Sequence, residues 1–144
     1  MLQNKLSYAF PIEASDFTKA GDAAGKIKKI LKLAGLPATV IRRVAIIAYE
    51  AEMNIVIHSV GGSLSLDLTS TRVEMASQDN GPGIPDIDLA LQEGYSTASD
   101  EVRALGFGAG MGLPNIRRNA DHFCIQSEVG VGTNLEVWID IGVS

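Results

Sequence analysis

Apolar residues recur along this chain with two periods, and the switches between them outline its elements. Residues 5–12 (KLSYAFPI) put Leu6, Tyr8, Phe10 and Ile12 on one side at period two, the pattern of a half-buried strand. A period near 3.6 follows. With Ser15 or Asp16 as its cap, a first helix carries Phe17, Ala20, Ala24, Ile27, Ile30, Leu31 and Ala34 on its inner face, and Gly35 ends it. Pro37 suits the first turn of a second helix whose stripe is Val40, Ile41, Val44, Ile47, Ala48, Ala51 and Ile55. That helix runs to about His58, and Gly61-Gly62 closes it. Period two returns in residues 63–69, with Leu64, Leu66 and Leu68, and less cleanly in 72–78 around Val73 and Met75; Ser70-Thr71 make the turn. DNGPGIPD, residues 79–86, reads as loop, and 88–92 as a short helix. Residues 94–112 show no period and hold five glycines, which predicts one long, mobile, functional loop. A helix over 113–121 follows, with Leu113, Ile116 and Ala120 inward. Two strands finish the chain, 122–128 and 133–141, joined by Gly130-Val131-Gly132; in the second, Leu135, Val137, Ile139 and Ile141 alternate with polar residues and Trp138. This order predicts an α+β fold: one mixed or mostly antiparallel sheet with helices on one face.

Composition narrows the class. The chain has 144 residues, 46% hydrophobic and 20% charged, which suits a single globular domain spanning 1–144. Its longest unbroken apolar run, Val44 to Tyr49, has six residues, against roughly 18 for a membrane span. No apolar segment follows the first five residues, so neither a secretory signal nor a membrane partner is expected. The single cysteine, Cys124, has no internal disulfide partner, fits a reducing cytoplasmic setting, and is expected in the core of its strand. A net charge of −5 argues against nucleic acid as the main partner. The charge is divided unevenly: residues 1–45 hold eight Lys/Arg against three acids, and residues 46–144 hold four against fourteen. Lys26, Lys28, Lys29 and Lys32 on the first helix supply much of the basic end, as a solvated face or as a surface for an acidic partner.

Four short motifs carry candidate chemistry. Glu50 and Asn54, four apart, share one face of the second helix, with His58 a turn further on. Asn54 can offer a hard oxygen to Mg²⁺ while Glu50 orients or deprotonates an attacking hydroxyl, and a plain polar stripe facing water has the same spacing. His58 reads as a structural histidine. Asp79-Asn80-Gly81-Pro82-Gly83 ends a strand; its carboxylate can accept a hydrogen bond from an exocyclic amine such as that of adenine, and Gly81 and Gly83 admit a flat ring, or the segment is a tight turn. In residues 106–113 (GFGAGMGL) glycine occupies every second position until a helix begins. Such unhindered amides beside a helix N-terminus can hold phosphates, and a flexible linker is the other reading. The segment lacks the G-K-[ST] ending of a P-loop and the preceding strand of a dinucleotide-binding fold. Gly130-Val131-Gly132-Thr133 places Thr133 where it can support Asp79, and is also an ordinary hairpin turn.

Taken together and in this order, E-x-x-x-N, D-x-G-x-G, G-x-G-x-G-L and G-x-G-T resemble the N, G1, G2 and final Gly-Thr boxes of the GHKL ATPase superfamily, which includes gyrase, MutL and histidine kinases. The likeness covers nearly the whole chain. It implies the Bergerat α/β sandwich with ATP and Mg²⁺ held between the long helices and a lid over about 94–112. Within that superfamily the lone domain, EAEMNIVIH, GYSTAS and GLPNIRR are similar to bacterial serine/threonine kinases of anti-sigma and switch-protein type, closest to the RsbT-type branch. That resemblance implies Asn54 at Mg²⁺, Glu50 as base, Asp79 at the adenine amine with Thr133 assisting, and Gly81 and Gly83 lining the base pocket. Gly108, Gly110 and Gly112 would cradle phosphates, with Met111 and Leu113 beside them. Arg103 stands seven positions before Gly110, farther than the phosphate-contacting arginine of the sporulation kinases, and is carried with solvated lid arginine as the alternative. The implied partners are a STAS-domain antagonist, a sigma factor or PP2C-type phosphatase, and a second copy in a homodimer. A nucleotide-gated binding module with little kinase activity is the alternative function. The catalytic half of a histidine kinase fits less well, since about four residues precede the first strand.

Overall fold

The computed structural model describes residues 5–14, 18–92 and 112–141. The described elements are β1 (Leu6–Ile12), α1 (Asp22–Leu33), α2 (Ala38–His58), β2 (Gly62–Leu68), β3 (Arg72–Asp79), α3 (Ile87–Ala90), α4 (Gly112–Asn119), β4 (His122–Glu128) and β5 (Gly132–Asp140). The five strands form one sheet in the order β1-β2-β3-β5-β4, and every pairing is antiparallel. The expected α+β architecture is therefore present, with all described strand pairs antiparallel. Leu64, Leu66, Val73, Val137 and Ile139 turn one face of the sheet inward, onto Ile27, Leu31, Val44, Ile47 and Ile55 of α1 and α2. Burial of this kind is worth roughly 1.5–3 kcal/mol for each large aliphatic side chain. The opposite face is polar and carries a stack: His122 lies on Trp138 at 3.6 Å between ring centroids, and Arg72 sits 4.1 Å from the Trp138 ring.

The helix layer departs from the sequence reading at its start. α1 begins at Asp22, so Ala20 precedes the helix, and Ser15, Asp16 and Phe17 lie outside the described residues. The cap comes from elsewhere in the chain. Glu52, only 2% exposed, accepts hydrogen bonds from the amides of Gly21 (3.0 Å), Ala23 (3.4 Å) and Ala24 (2.9 Å). Its charge also faces the positive end of the α1 dipole. Glu52→Ala leaves these buried amides without an acceptor and is expected to destabilise the fold by about 2–3 kcal/mol, read as an earlier midpoint in urea at unchanged slope.

At the other end of α1, Leu36 N–H bonds Leu31 C=O and Gly35 N–H bonds Lys32 C=O, which closes the helix at the expected glycine. Ala34 is exposed rather than inward, because the helix has already ended at Leu33. Pro37 is the N-cap of α2, one residue before its first turn. All seven positions of the expected α2 stripe are buried, and so are Met53 and Val56 on a second side, where the helix lies deepest.

α4 ends at Asn119, two residues early, because Asp121 is taken by the sheet. Asp121 Oδ2 accepts from Asp140 N (2.8 Å) and Oδ1 from Arg43 Nη2 (3.0 Å), while Arg43 Nε donates to the Asn119 carbonyl (2.9 Å). Arg43 and Asp121 thus tie α2, α4 and β5 together. The Asp140 amide, then Arg43, hold the Asp121 carboxyl below its ordinary value of 3.8, against the opposing effect of burial. A depressed folded-state pKa contributes stability that is present above the ordinary value and lost as pH falls through the lowered one. Urea titrations at falling pH are expected to show wild type losing more stability than Asp121→Asn below about pH 4; parallel losses would remove Asp121 from the acid response.

Cys124 is exposed, contrary to the expected core position. Phe123 and Ile125 turn toward the helices, and period two then puts Cys124 on the outer face of β4, an edge strand.

Candidate functional site

Two sets of residues read from the sequence are brought into defined local arrangements, one on the helices and one at the sheet end. On the helices, Glu50 and Asn54 both stand half-buried on α2, beside the start of α4. Gly112 comes so close that a Cβ there would lie 2.9 Å from Asn54 Oδ1. A side chain at this position would push the Asn54 amide aside. One turn on, Asn115 Nδ2 donates to Glu50 Oε2 at 3.0 Å, and Arg118 Nη1 donates to Asn115 Oδ1 at 3.2 Å. The arginine fixes which way the Asn115 amide points, so its NH₂ faces the carboxylate. Glu50 therefore has one oxygen held and the other without a hydrogen-bond partner among the described residues. Leu113 is half-buried against the core and helps to seat α4.

At the sheet end, Asp79 is the last residue of β3, paired across to Gly62 on one side and Thr133 on the other. Its Oδ1 accepts from Gly81 N at 2.9 Å, an Asx-type turn that folds the loop back over the strand end. Its Oδ2 has no hydrogen-bond partner among the described residues. The loop is pinned from both flanks. Gly81 packs on Ser59, 2.8 Å from a would-be Cβ to Oγ, and Gly83, at φ +80°, has no room for a side chain against the Glu128 carbonyl.

The Gly130–Thr133 motif serves this pinning. Gly130 N donates to the Pro82 carbonyl (2.8 Å), and Ile84 N donates to Ser127 Oγ (2.7 Å). Ser127 and Thr133 share a hydroxyl contact at 2.8 Å. Gly132, at φ +145°, lies against the Asp79 carbonyl where any side chain would overlap it. Thr133 is thus opposite Asp79 in register while its hydroxyl is bonded to Ser127. Arg103, Gly108, Gly110 and Met111 lie outside the described residues.

Sequence reading missed Asn115 and Glu52. Asn115 is 65 positions from Glu50 and meets it only through the α2–α4 packing. Glu52 had a local sign, a second glutamate two residues from Glu50 and so on another side of the helix, within an apolar stretch.

A helix face carrying a carboxylate and an amide oxygen, a glycine approach at the start of a second helix, and a carboxylate at a strand end under a glycine loop define a class. The chain belongs to the histidine kinase-, DNA gyrase B- and HSP90-like ATPase family, whose pattern matches residues 39–143. Among individual proteins it is similar to the serine/threonine-protein kinase RsbT of Bacillus subtilis (strain 168), with 31% identity over 91 residues. The match takes in 60% of this chain and 62% of that kinase, so the chain spans less than two thirds of its relative's length.

Proposed function

We propose that the chain is an ATP-dependent serine/threonine protein kinase of a partner-switching module. The observation that carries this reading is the convergence of Glu50, Asn54, Asn115 and Gly112 where α2 meets α4. The donor set suits Mg·ATP. Asn54 offers a neutral hard oxygen, which suits a magnesium that takes its other ligands from phosphates and water. Bound there, the metal would neutralise charge on the phosphates. Asp79 Oδ2 accepts the adenine amine, while Gly81 and Gly83 line the base pocket in a loop drawn tightly onto Ser59 and Glu128. Gly108, Gly110 and Gly112 donate amides to the phosphates, with Met111 and Leu113 flanking them and Arg103 as a further cation at the lid.

Glu50 is the base. Its Oε1 accepts the proton of a serine or threonine hydroxyl as that oxygen bonds to the γ-phosphorus and the bond to the β-phosphate oxygen breaks, leaving ADP and a phosphoester. Asn115 holds Oε2 and so keeps Oε1 directed at the hydroxyl. Positioning and charge stabilisation of this kind are what phosphoryl transfer requires.

The protein substrate is a STAS-domain antagonist, and the output is control of a sigma factor or a PP2C-type phosphatase in the cytoplasm. In the described residues no helix is long and apolar enough to cross a membrane. The experiment is incubation of the chain with γ-labelled ATP, Mg²⁺ and each STAS-domain protein of the source genome. Label on serine or threonine of one of them is expected. Nucleotide-dependent association without transfer would replace the kinase with a nucleotide-gated binding module.

A further inference from the structure

The nucleotide chemistry uses the end of one α2 face and leaves its first three turns unassigned. From Ala38 through Ile41 and Ala45 to Tyr49, with Ile46 and Glu50 beside them, that face steps along the helix at intervals of three and four residues, a run of about 18 Å to Glu50. It forms the floor of an open groove of about 730 Å³. The floor is apolar but not closed off: Ile46 is 36% exposed and Tyr49 41%.

Lys28 and Lys32 of α1 and Arg42 of α2 line the groove. None of these three has an ion-pair partner in the described residues, whereas Arg43 next door is committed to Asp121. The groove ends at Glu50 and Asn115. Solvated lysines alone would be an ordinary helix surface. Here the cations border an apolar floor, and the floor leads to the one carboxylate oxygen that the kinase reading assigns to the acceptor hydroxyl.

We propose that this groove is the docking site for the protein substrate, and that it takes an acidic amphipathic segment whose apolar side lies on Ala45, Ile46 and Tyr49. The inference rests on the kinase reading above. Its carboxylates meet Lys28, Lys32 and Arg42, and the chain next to the docked segment delivers its hydroxyl to Glu50. Helix-in-groove recognition supplies affinity through the apolar face, and the cations supply steering and register. The nucleotide approaches Glu50 from the Asn54 side and the substrate from the Ala38 side, so the two ligands share a helix face without competing for it.

The test compares wild type with Lys28→Glu/Lys32→Glu/Arg42→Glu and, separately, with Ala45→Trp, which fills the floor without changing charge. Transfer from Mg·ATP to the STAS-domain protein that wild type phosphorylates is measured for KM and kcat, and ATP affinity is measured by calorimetry. The charge-reversed protein is expected to raise KM for the protein substrate at least tenfold at low salt, with kcat and ATP affinity within twofold of wild type. Added salt is expected to narrow the difference by weakening wild type. Ala45→Trp raises KM in the same direction.

An unchanged KM in both variants overturns the proposal. A parallel loss of ATP affinity would assign the groove to the nucleotide instead. If wild type dimerises and the charge-reversed protein does not, with KM unchanged, the occupant is a second copy. Absence of transfer by wild type to every STAS-domain protein removes the kinase reading itself, and the docking proposal with it.

Discussion

Asp79→Asn is expected to lower affinity for Mg·ATP by roughly 100- to 1,000-fold while leaving the fold intact, because a site that loses its buried hydrogen-bond complement rejects the ligand strongly. The direction follows from the geometry of the carboxylate. Oδ1 accepts from Gly81 N at 2.9 Å, and only an oxygen can accept that proton. The asparagine must therefore keep its carbonyl on Gly81 and turn its NH₂ toward the base pocket, where it meets the adenine amine donor to donor. The turn survives and the recognition does not. Calorimetric titration reads the affinity, and urea midpoints read the fold. Inosine triphosphate carries a carbonyl where ATP carries the amine, so it is expected to bind Asp79→Asn more tightly than ATP does. Equal ATP affinity in wild type and variant would take Asp79 out of the pocket.

Glu50→Gln is expected to bind Mg·ATP within about twofold of wild type and to lose phosphoryl transfer by roughly 10²- to 10⁴-fold, the range for removing a general base. The same logic applies on the helix. Asn115 Nδ2 donates to one oxygen of Glu50 at 3.0 Å, so the glutamine keeps its carbonyl there and presents NH₂ to the substrate hydroxyl. That group cannot take the proton. Single-turnover transfer with saturating ATP separates this loss from any change in binding. A variant that transfers at the wild-type rate would make Glu50 a bystander.

The two carboxylates share a design. Each has one oxygen tied down by a neighbouring N–H and the other without a hydrogen-bond partner among the described residues. The sequence shows the acids and their places on a helix face and at a strand end. The tethering donors are only partly visible. Gly81 is two residues from Asp79 and belongs to the motif, whereas Asn115 reaches Glu50 through tertiary packing that no periodicity encodes.

The same distinction runs through the fold. The α2 stripe was legible because burial there repeats every three to four residues, and the strands because burial alternates. The start of α1 was misread because its cap, Glu52, stands about thirty positions away in sequence; a local search finds Ser15 and Asp16 instead. Cys124 was misplaced by reasoning from residue type, while the parity set by Phe123 and Ile125 puts it outward. The Gly130–Thr133 motif reads as a turn beside the site. Its Gly130 amide on the Pro82 carbonyl, beside Ser127 of β4 on the Ile84 amide, gives it the further part of holding the Asp79 loop in place.

Nucleotide is proposed to lie between the Asn54 end of α2 and the loop beginning at Asp79. Amide hydrogen exchange with and without a non-hydrolysable ATP analogue and Mg²⁺ tests it most directly. Slowed exchange is expected in residues 79–84 and around Asn54 and Gly112, with the Lys28–Lys32 turn of α1 unchanged. Protection confined to that α1 turn and the first turns of α2, with residues 79–84 exchanging as in the free protein, would contradict it.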